Sequence, residues 1–95
     1  MQIMIASFKS RALKRYWTRD DASRLPAQDV KRIAMILDRL DAAVVPQDMD
    51  LPGMRFHALS GNRKGDYAVT VRANWRITFR WDGEDATHVD YEDYH

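Results

Sequence analysis

The sequence contains no cysteine. That absence excludes a disulfide framework, a thiolate metal site and a cysteine nucleophile, and it suits a protein working in a reducing cytosol. Glycine and proline are scarce, four and three in 95 residues, too few for a linker, a low-complexity tract or a repeat array. No apolar run approaches the ~20 residues that span a bilayer. The opening MQIMIASFKS has neither the hydrophobic stretch nor the cleavage site of a secretion signal. The expectation is a cytoplasmic protein with no membrane partner.

Net charge is nearly absent too, a formal +1, but its distribution is uneven. Residues 9–32 hold eight Lys or Arg against three Asp, and residues 55–80 hold six against Asp66 alone. From Trp81 onward there are six acids and no Lys or Arg. A basic face suited to phosphate can therefore sit beside an acidic tail. An evenly solvated mixed surface is the plainer reading of the same counts. A hydrophobic content of 45% supports a folded core, and the length leaves no room for a second, so 1–95 reads as a single domain.

Periodicity orders the elements. Residues 3–8 read as a short apolar strand. KSRALKRYWTR, residues 9–19, reads as a helix with Ala12, Leu13, Tyr16 and Trp17 on one side and bases on the other. Pro26 suits a first helical position, with Asp29 favouring the positive end of the helix. Val30, Ile33, Ala34, Leu37 and Leu40 then recur at helical spacing as far as about Ala43. Past Pro46 the period changes to two. Met54, Phe56 and Ala58 alternate with Arg55 and His57, and residues 67–72, 75–81 and 88–91 alternate likewise. The order is β-α-α-β-β-β-β, an α+β fold with a mostly antiparallel sheet and both helices on one face. For Val71 and Ile77 to share the covered face, the intervening turn must be of odd length, three residues with a bulge. Arg72 and Arg76 would then emerge almost opposite each other on the exposed face. Such a pair either splays into solvent or holds an anion between its guanidinium groups.

Histidine is the side chain best suited to proton transfer near neutrality. Three are present, His57, His88 and His95. His57 shares its side of an alternating strand with Arg55, and His95 ends the chain beside Tyr94 and Asp93. His88 has no such company and reads as incidental. RNA carries its own nucleophile, the 2′-hydroxyl, so cutting it without metal requires a base, an acid and cations around the phosphate. Histidine fills either proton role, arginine provides a permanently charged clamp, and tyrosine stacks or donates. No HExxH, paired cysteine or carboxylate loop appears. No metal or other cofactor is therefore expected, despite the crowding of His88, Asp90, Glu92, Asp93 and His95. SGNRKG lacks a phosphate-loop pattern and reads as a basic turn.

The string FHALSGNRKGDYAVTVRANWRITFRW, with the ending VDYEDYH, closely resembles the HigB family of the RelE/ParE toxin superfamily; VRANWRITF and EDYH are its most specific parts. The resemblance is strong over residues 51–95 and continues more weakly through FKS, the basic first helix and PAQDV. It implies a RelE-like fold and a toxin of a type II toxin–antitoxin system that cleaves mRNA on the ribosome without metal. The implied partners are the A site of the small ribosomal subunit, mRNA and a HigA-type helix-turn-helix antitoxin. The implied catalytic residues are His57, Arg76, Asp93, Tyr94 and His95. In that scheme His95 or Asp93 is the base, His57 the acid, Arg76 the stabiliser of phosphorane-like charge, and Tyr94 orients the substrate. Lys9, Arg11, Lys14, Arg15 and Arg19, with Arg63, Lys64 and Arg72, are the expected RNA-binding residues. Ser60 stands where some members have lysine, Ala58 where some have proline and Tyr67 where some have tryptophan. At Ser60 one phosphate contact is therefore either missing or supplied by Arg63 or Lys64. Two other readings stand beside this one. A ParE-like gyrase poison shares the fold but has no need of His57 with an Asp-Tyr-His terminus. A non-catalytic RNA-binding module needs only the basic helix and the arginine-rich strands.

Overall fold

Ser10 decides where the first helix begins. In the computed structural model, which describes residues 5–93, its hydroxyl accepts from the Leu13 N–H at 3.2 Å. That contact satisfies one of the end donors that a helix cannot satisfy internally. Helix α1 spans Arg11–Arg19 and stops where Asp20 enters the left-handed region at φ 55°. Leu13 is fully buried, and Ala12, Tyr16 and Trp17 pack against the core on the side that the periodicity predicts.

The second helix departs from expectation at its start. Pro26 precedes one 3-10 turn, Ala27–Asp29, and α2 proper spans Val30–Ala42. Asp29 makes no capping hydrogen bond; its carboxylate turns inward instead. Ile33, Ile36, Leu37 and Leu40 form the fully buried stripe of α2, each contributing about 1.5–3 kcal/mol by burial. They pack with Val69, Val71, Ile77, Phe79 and Val89 of the sheet.

The sheet has four antiparallel strands in sequential order: β1 (His57–Ala58), β2 (Asp66–Arg72), β3 (Trp75–Asp82) and β4 (Asp85–Asp93). The expected strand over residues 3–8 reduces, among the described residues, to two parallel bridges, Ile5 with Ala86 and Phe8 with Val89. Its residues 3 and 4 lie outside the described residues. β4 is itself irregular there: His88, at φ 53°, and Val89 together oppose Phe79, a bulge that interrupts regular pairing.

A second bulge separates the two arginines expected to face each other. The β2–β3 turn has two residues, Ala73 and Asn74, and the odd residue lies inside β2. Thr70 opposes Arg76 and Arg72 opposes Trp75, so Val71 is the extra one. The parity requirement holds, since Val69 opposes Ile77 and Val71 stays buried. Its consequence for the arginines is reversed. Past the bulge the alternation shifts by one, and Arg72 falls in the row of Trp75 rather than that of Arg76. Arg72 donates from Nε to Asp29 Oδ1 at 2.7 Å and from Nη2 to Oδ2 at 3.3 Å. The Tyr91 hydroxyl donates to the same Oδ2 at 2.8 Å, and the Tyr91 ring stacks on Trp75 at 4.7 Å. Hydrogen bonding from Arg72 holds the buried Asp29 carboxyl below its usual range. Burial and the Asp29 carboxylate push the Tyr91 hydroxyl up. This clamp joins the start of α2 to the last strand.

Removing the exposed member of the clamp leaves a buried charge behind, and that charge costs more than the lost contact. Arg72→Ala is therefore expected to lower the urea midpoint, and adding Asp29→Asn to recover part of the loss. A double variant no more stable than Arg72→Ala alone would contradict this assignment.

Candidate active site

His57 pairs with Ala68 and so lies on the sheet face turned away from the helices. Three contacts fix the segment that leads to it. Arg32 donates to the Gly53 carbonyl at 2.8 Å and to the Thr70 carbonyl at 3.2 and 3.0 Å. The Thr70 N–H donates to the Met54 carbonyl at 2.8 Å, and Phe56 stacks on Tyr67 at 5.7 Å. Arg55 then takes φ 52°, a conformation that costs a non-glycine residue about 1–3 kcal/mol. The result is that its carbonyl accepts from His57 Nδ1–H at 2.9 Å. A carbonyl only accepts, so Nδ1 is the donor in both protonation states. The contact fixes the orientation of the ring.

Arg76 occupies the next row, between Thr70 and Glu92. It is not the exposed side chain that strand alternation implies: only 8% of it is accessible. Its Nε and Nη2 donate to Glu92 Oε1 at 3.0 and 2.7 Å. Arg63 grips the same carboxylate, from Nη1 at 3.2 Å and Nη2 at 3.5 Å. Burial alone pushes the Glu92 carboxyl up, but hydrogen bonds from Arg76 and Arg63 outweigh it and hold the group below its usual range. Arg63 Nε donates to Asp66 Oδ2, and Arg80 Nε to Asp66 Oδ1, both at 2.8 Å. Asp66 shows the same balance, burial opposed and exceeded by its two arginines. Guanidinium and carboxylate thus alternate across the open face in the order Arg80, Asp66, Arg63, Glu92, Arg76. Sequence reasoning singled out neither Glu92 nor Asp66 as a site residue.

His57 and Arg76 together line two adjoining clefts. One, of about 260 Å³, is completed by Ala58, Leu59, Ser60 and Arg63. The other, of about 390 Å³, is completed by Arg55, Thr70, Ala73, Asn74 and Trp75. Arg63, one of the two cations named for the contact at Ser60, therefore stands beside that serine. Lys64 is exposed on the adjoining turn. Arg72, held by Asp29, does not join this face. Asp93 opposes Trp75, one residue out of phase with Glu92, so its side chain leaves the strand on the other side. Tyr94 and His95 lie outside the described residues. Arg11, Lys14, Arg15 and Arg19 line a separate cleft of about 260 Å³ on α1. Lys9 lines a small recess with Arg63, Arg80 and His88. Among the described residues no three His, Asp or Glu side chains gather as a metal-ligand set.

Residues 6–95 match the family described as HigB-like toxin, the RelE-like toxin of the type II toxin–antitoxin system HigB. The chain belongs to that family. Endoribonuclease HigB of Proteus vulgaris is 44% identical over 92 residues, 97% of this chain and 100% of the relative. Toxin HigB-1 of Vibrio cholerae serotype O1 is 34% identical over 80 residues, 82% of this chain and 84% of the relative. Among solved structures, the YoeB dimer of Staphylococcus aureus superposes with a TM-score of 0.62 at 17% identity, covering 97% of this chain and 98% of that one. That likeness supports the RelE-like fold. As a HigB-like protein the chain is a type II toxin, and an antitoxin is its partner.

The depressed carboxyl groups give this HigB-like fold a defined acid limit. A carboxyl whose folded pKa lies below its unfolded value of about 4 contributes stability above that value and loses it as pH falls through the folded one. Asp29, Asp66 and Glu92 are all of this kind. Melting temperature should change little from about pH 8 to 5 and drop steeply below about pH 4. Calorimetry at a series of pH values checks this; an unchanged melting temperature between pH 5 and 3 would count against the three pairings.

Proposed function

We propose that this toxin is an endoribonuclease that cuts messenger RNA in the A site of the small ribosomal subunit, using the RNA 2′-hydroxyl as nucleophile. The observation that carries the reading is His57 beside Arg76 along the walls of two shared clefts. A proton carrier with a fixed ring and a permanently charged fork are what phosphodiester transfer requires. The 2′-oxygen attacks phosphorus, the bond to the 5′-oxygen breaks, and the product is a 2′,3′-cyclic phosphate. His57 Nε2–H protonates the leaving 5′-oxygen. Arg76, with Arg63 flanking, stabilises the charge on the pentacovalent phosphorus. Asp93 or His95 takes the 2′-proton and Tyr94 orients the substrate. The register asks Asp93 to reach the cleft around the end of β4. Cation charge comes from guanidinium groups, so the scheme assigns no step to a metal. A HigA-type helix-turn-helix antitoxin is the proposed partner and the cytoplasm the proposed compartment. No helix among the described residues is long and apolar enough to cross a membrane. A gyrase poison has no use for a proton carrier held beside a buried arginine, which favours the nuclease.

Single-turnover cleavage on programmed ribosomes tests the scheme. His57→Ala should lose about 10²–10⁴-fold and Arg76→Ala about 10²–10³-fold, with RNA ending in a cyclic phosphate. Intact mRNA with the wild-type protein defeats the proposal, and 3′-hydroxyl ends would point to attack by water.

The exposed cations of α1 fit docking to ribosomal RNA rather than chemistry. Neutralising Lys14, Arg15 and Arg19 together should weaken ribosome binding and flatten its salt dependence. Cleavage on already-bound ribosomes should stay within about twofold of wild type, far below the effect of losing a catalytic group. An unchanged salt slope would make α1 merely a solvated face.

A further inference from the structure

We propose that Glu92 is the positioning residue of this site: its carboxylate fixes the Arg76 guanidinium for the phosphate without touching the RNA. The inference rests on the nuclease reading above. Arginine has a long stem with many rotamers, and its value to a phosphoryl centre lies in a fork held at a set angle. Glu92 Oε1 takes both Nε and Nη2 of Arg76, which holds that edge of the guanidinium against the carboxylate. Register makes this possible, because the two residues are direct cross-strand neighbours. Arg63, gripping the same carboxylate from the far side, keeps Glu92 itself from swinging away.

Two observations separate positioning from a direct role. Glu92 lines neither cleft that Arg76 and His57 share, so it meets the arginine from outside those clefts. Its charge also opposes the proposed substrate. Arg63 and Arg76 alone would present two positive charges, and Glu92 cancels one. If attraction of phosphate were the whole task, a neutral residue would serve better. A carboxylate that weakens binding yet sits at 2.7 Å from the critical nitrogen fits orientation gained at the expense of affinity.

That trade gives the inference its signature. Glu92→Gln keeps the size of the side chain and removes the charge. On programmed ribosomes its single-turnover rate should fall about 10–100-fold, the scale of a small misplacement at a reacting centre. The toxin concentration for half-maximal rate should stay constant or decrease. Loss of fold alone would raise that concentration and lower the melting temperature. Glu92→Asp, which retains the charge but retracts it by one methylene, should fall between wild type and Glu92→Gln, and it serves if the Gln variant does not fold. In an Arg76→Ala background, Glu92→Gln should cost nothing further, because the group it positions is gone. A wild-type rate for Glu92→Gln, or the same fold-loss with and without Arg76, overturns the proposal. Should Arg76→Ala itself cleave like wild type, the site reading and the role of Glu92 fall together. If only Arg76→Ala is slow, the site stands and Glu92 has no part in it.

Discussion

An extra residue in β2 sorts the arginines of this sheet, and the division between scaffold and site depends on it. With Val71 inserted, Arg72 joins the row of Trp75 and Arg76 stays in the row of Thr70 and Glu92. With Val69 kept opposite Ile77 and no extra residue, strict alternation would bring the two guanidinium groups to one face, where like charges repel. The bulge gives each its own carboxylate instead. Arg72 goes to Asp29 and secures α2 to the last strand, while Arg76 goes to Glu92 and stands beside His57. The bulge thus costs one ladder pairing and keeps a structural cation apart from the proposed catalytic one.

The open face that results is neither a basic patch nor a neutral one. Three arginines and two carboxylates alternate along it. Asp66 and Arg76 are buried and Glu92 is half-buried, and the desolvation of such pairs offsets much of their attraction, so net stability is a weak reason for the arrangement. Geometry is a stronger one. Each carboxylate sits between two guanidinium groups, and each interior member is held from two sides. Arg63 can move only by disturbing both Asp66 and Glu92. A preorganised electrostatic site stabilises developing charge because its dipoles and ions do not reorganise during reaction. The carboxylates provide that rigidity while lowering the net field.

Helices, strands and core were readable because they follow from period. Ile33, Leu37 and Leu40 show helical spacing, and Val69, Ile77 and Phe79 show strand spacing, and all are buried. The parity of Val71 and Ile77 even required an odd residue near the turn. Its place inside β2 was not readable, because Val71 fits a bulge and a regular strand equally well. Glu92 was hidden for a related reason. It appeared as one acid among six after Trp81, and its partner follows only from the register of β4, which is shifted by the bulge at His88 and Val89. The near-burial of Arg76 escaped too. Alternation assigns a face, but the carboxylate that Arg76 bonds comes from Glu92, 16 positions away. Asp29 was assigned to a helix end by its place after Pro26, and tertiary pairing with Arg72 took it elsewhere.

These charges also bear on why such a nuclease would need a platform. A site whose cations are half neutralised by their own carboxylates attracts free RNA weakly. The arginines and lysine of α1 carry fewer such partners: of these side chains only Arg15 forms an ion pair among the described residues, with Asp21 at 3.4 Å. Exposed charge of that sort acts at long range and fades with salt. Partly buried ion pairs are screened much less. Docking and chemistry should then differ in their response to salt, docking failing first. In the proposed reading the ribosome supplies what the site lacks: α1 holds the toxin against ribosomal phosphates, and the A site presents one messenger phosphate at a fixed place. The catalytic face is then free to favour orientation over attraction.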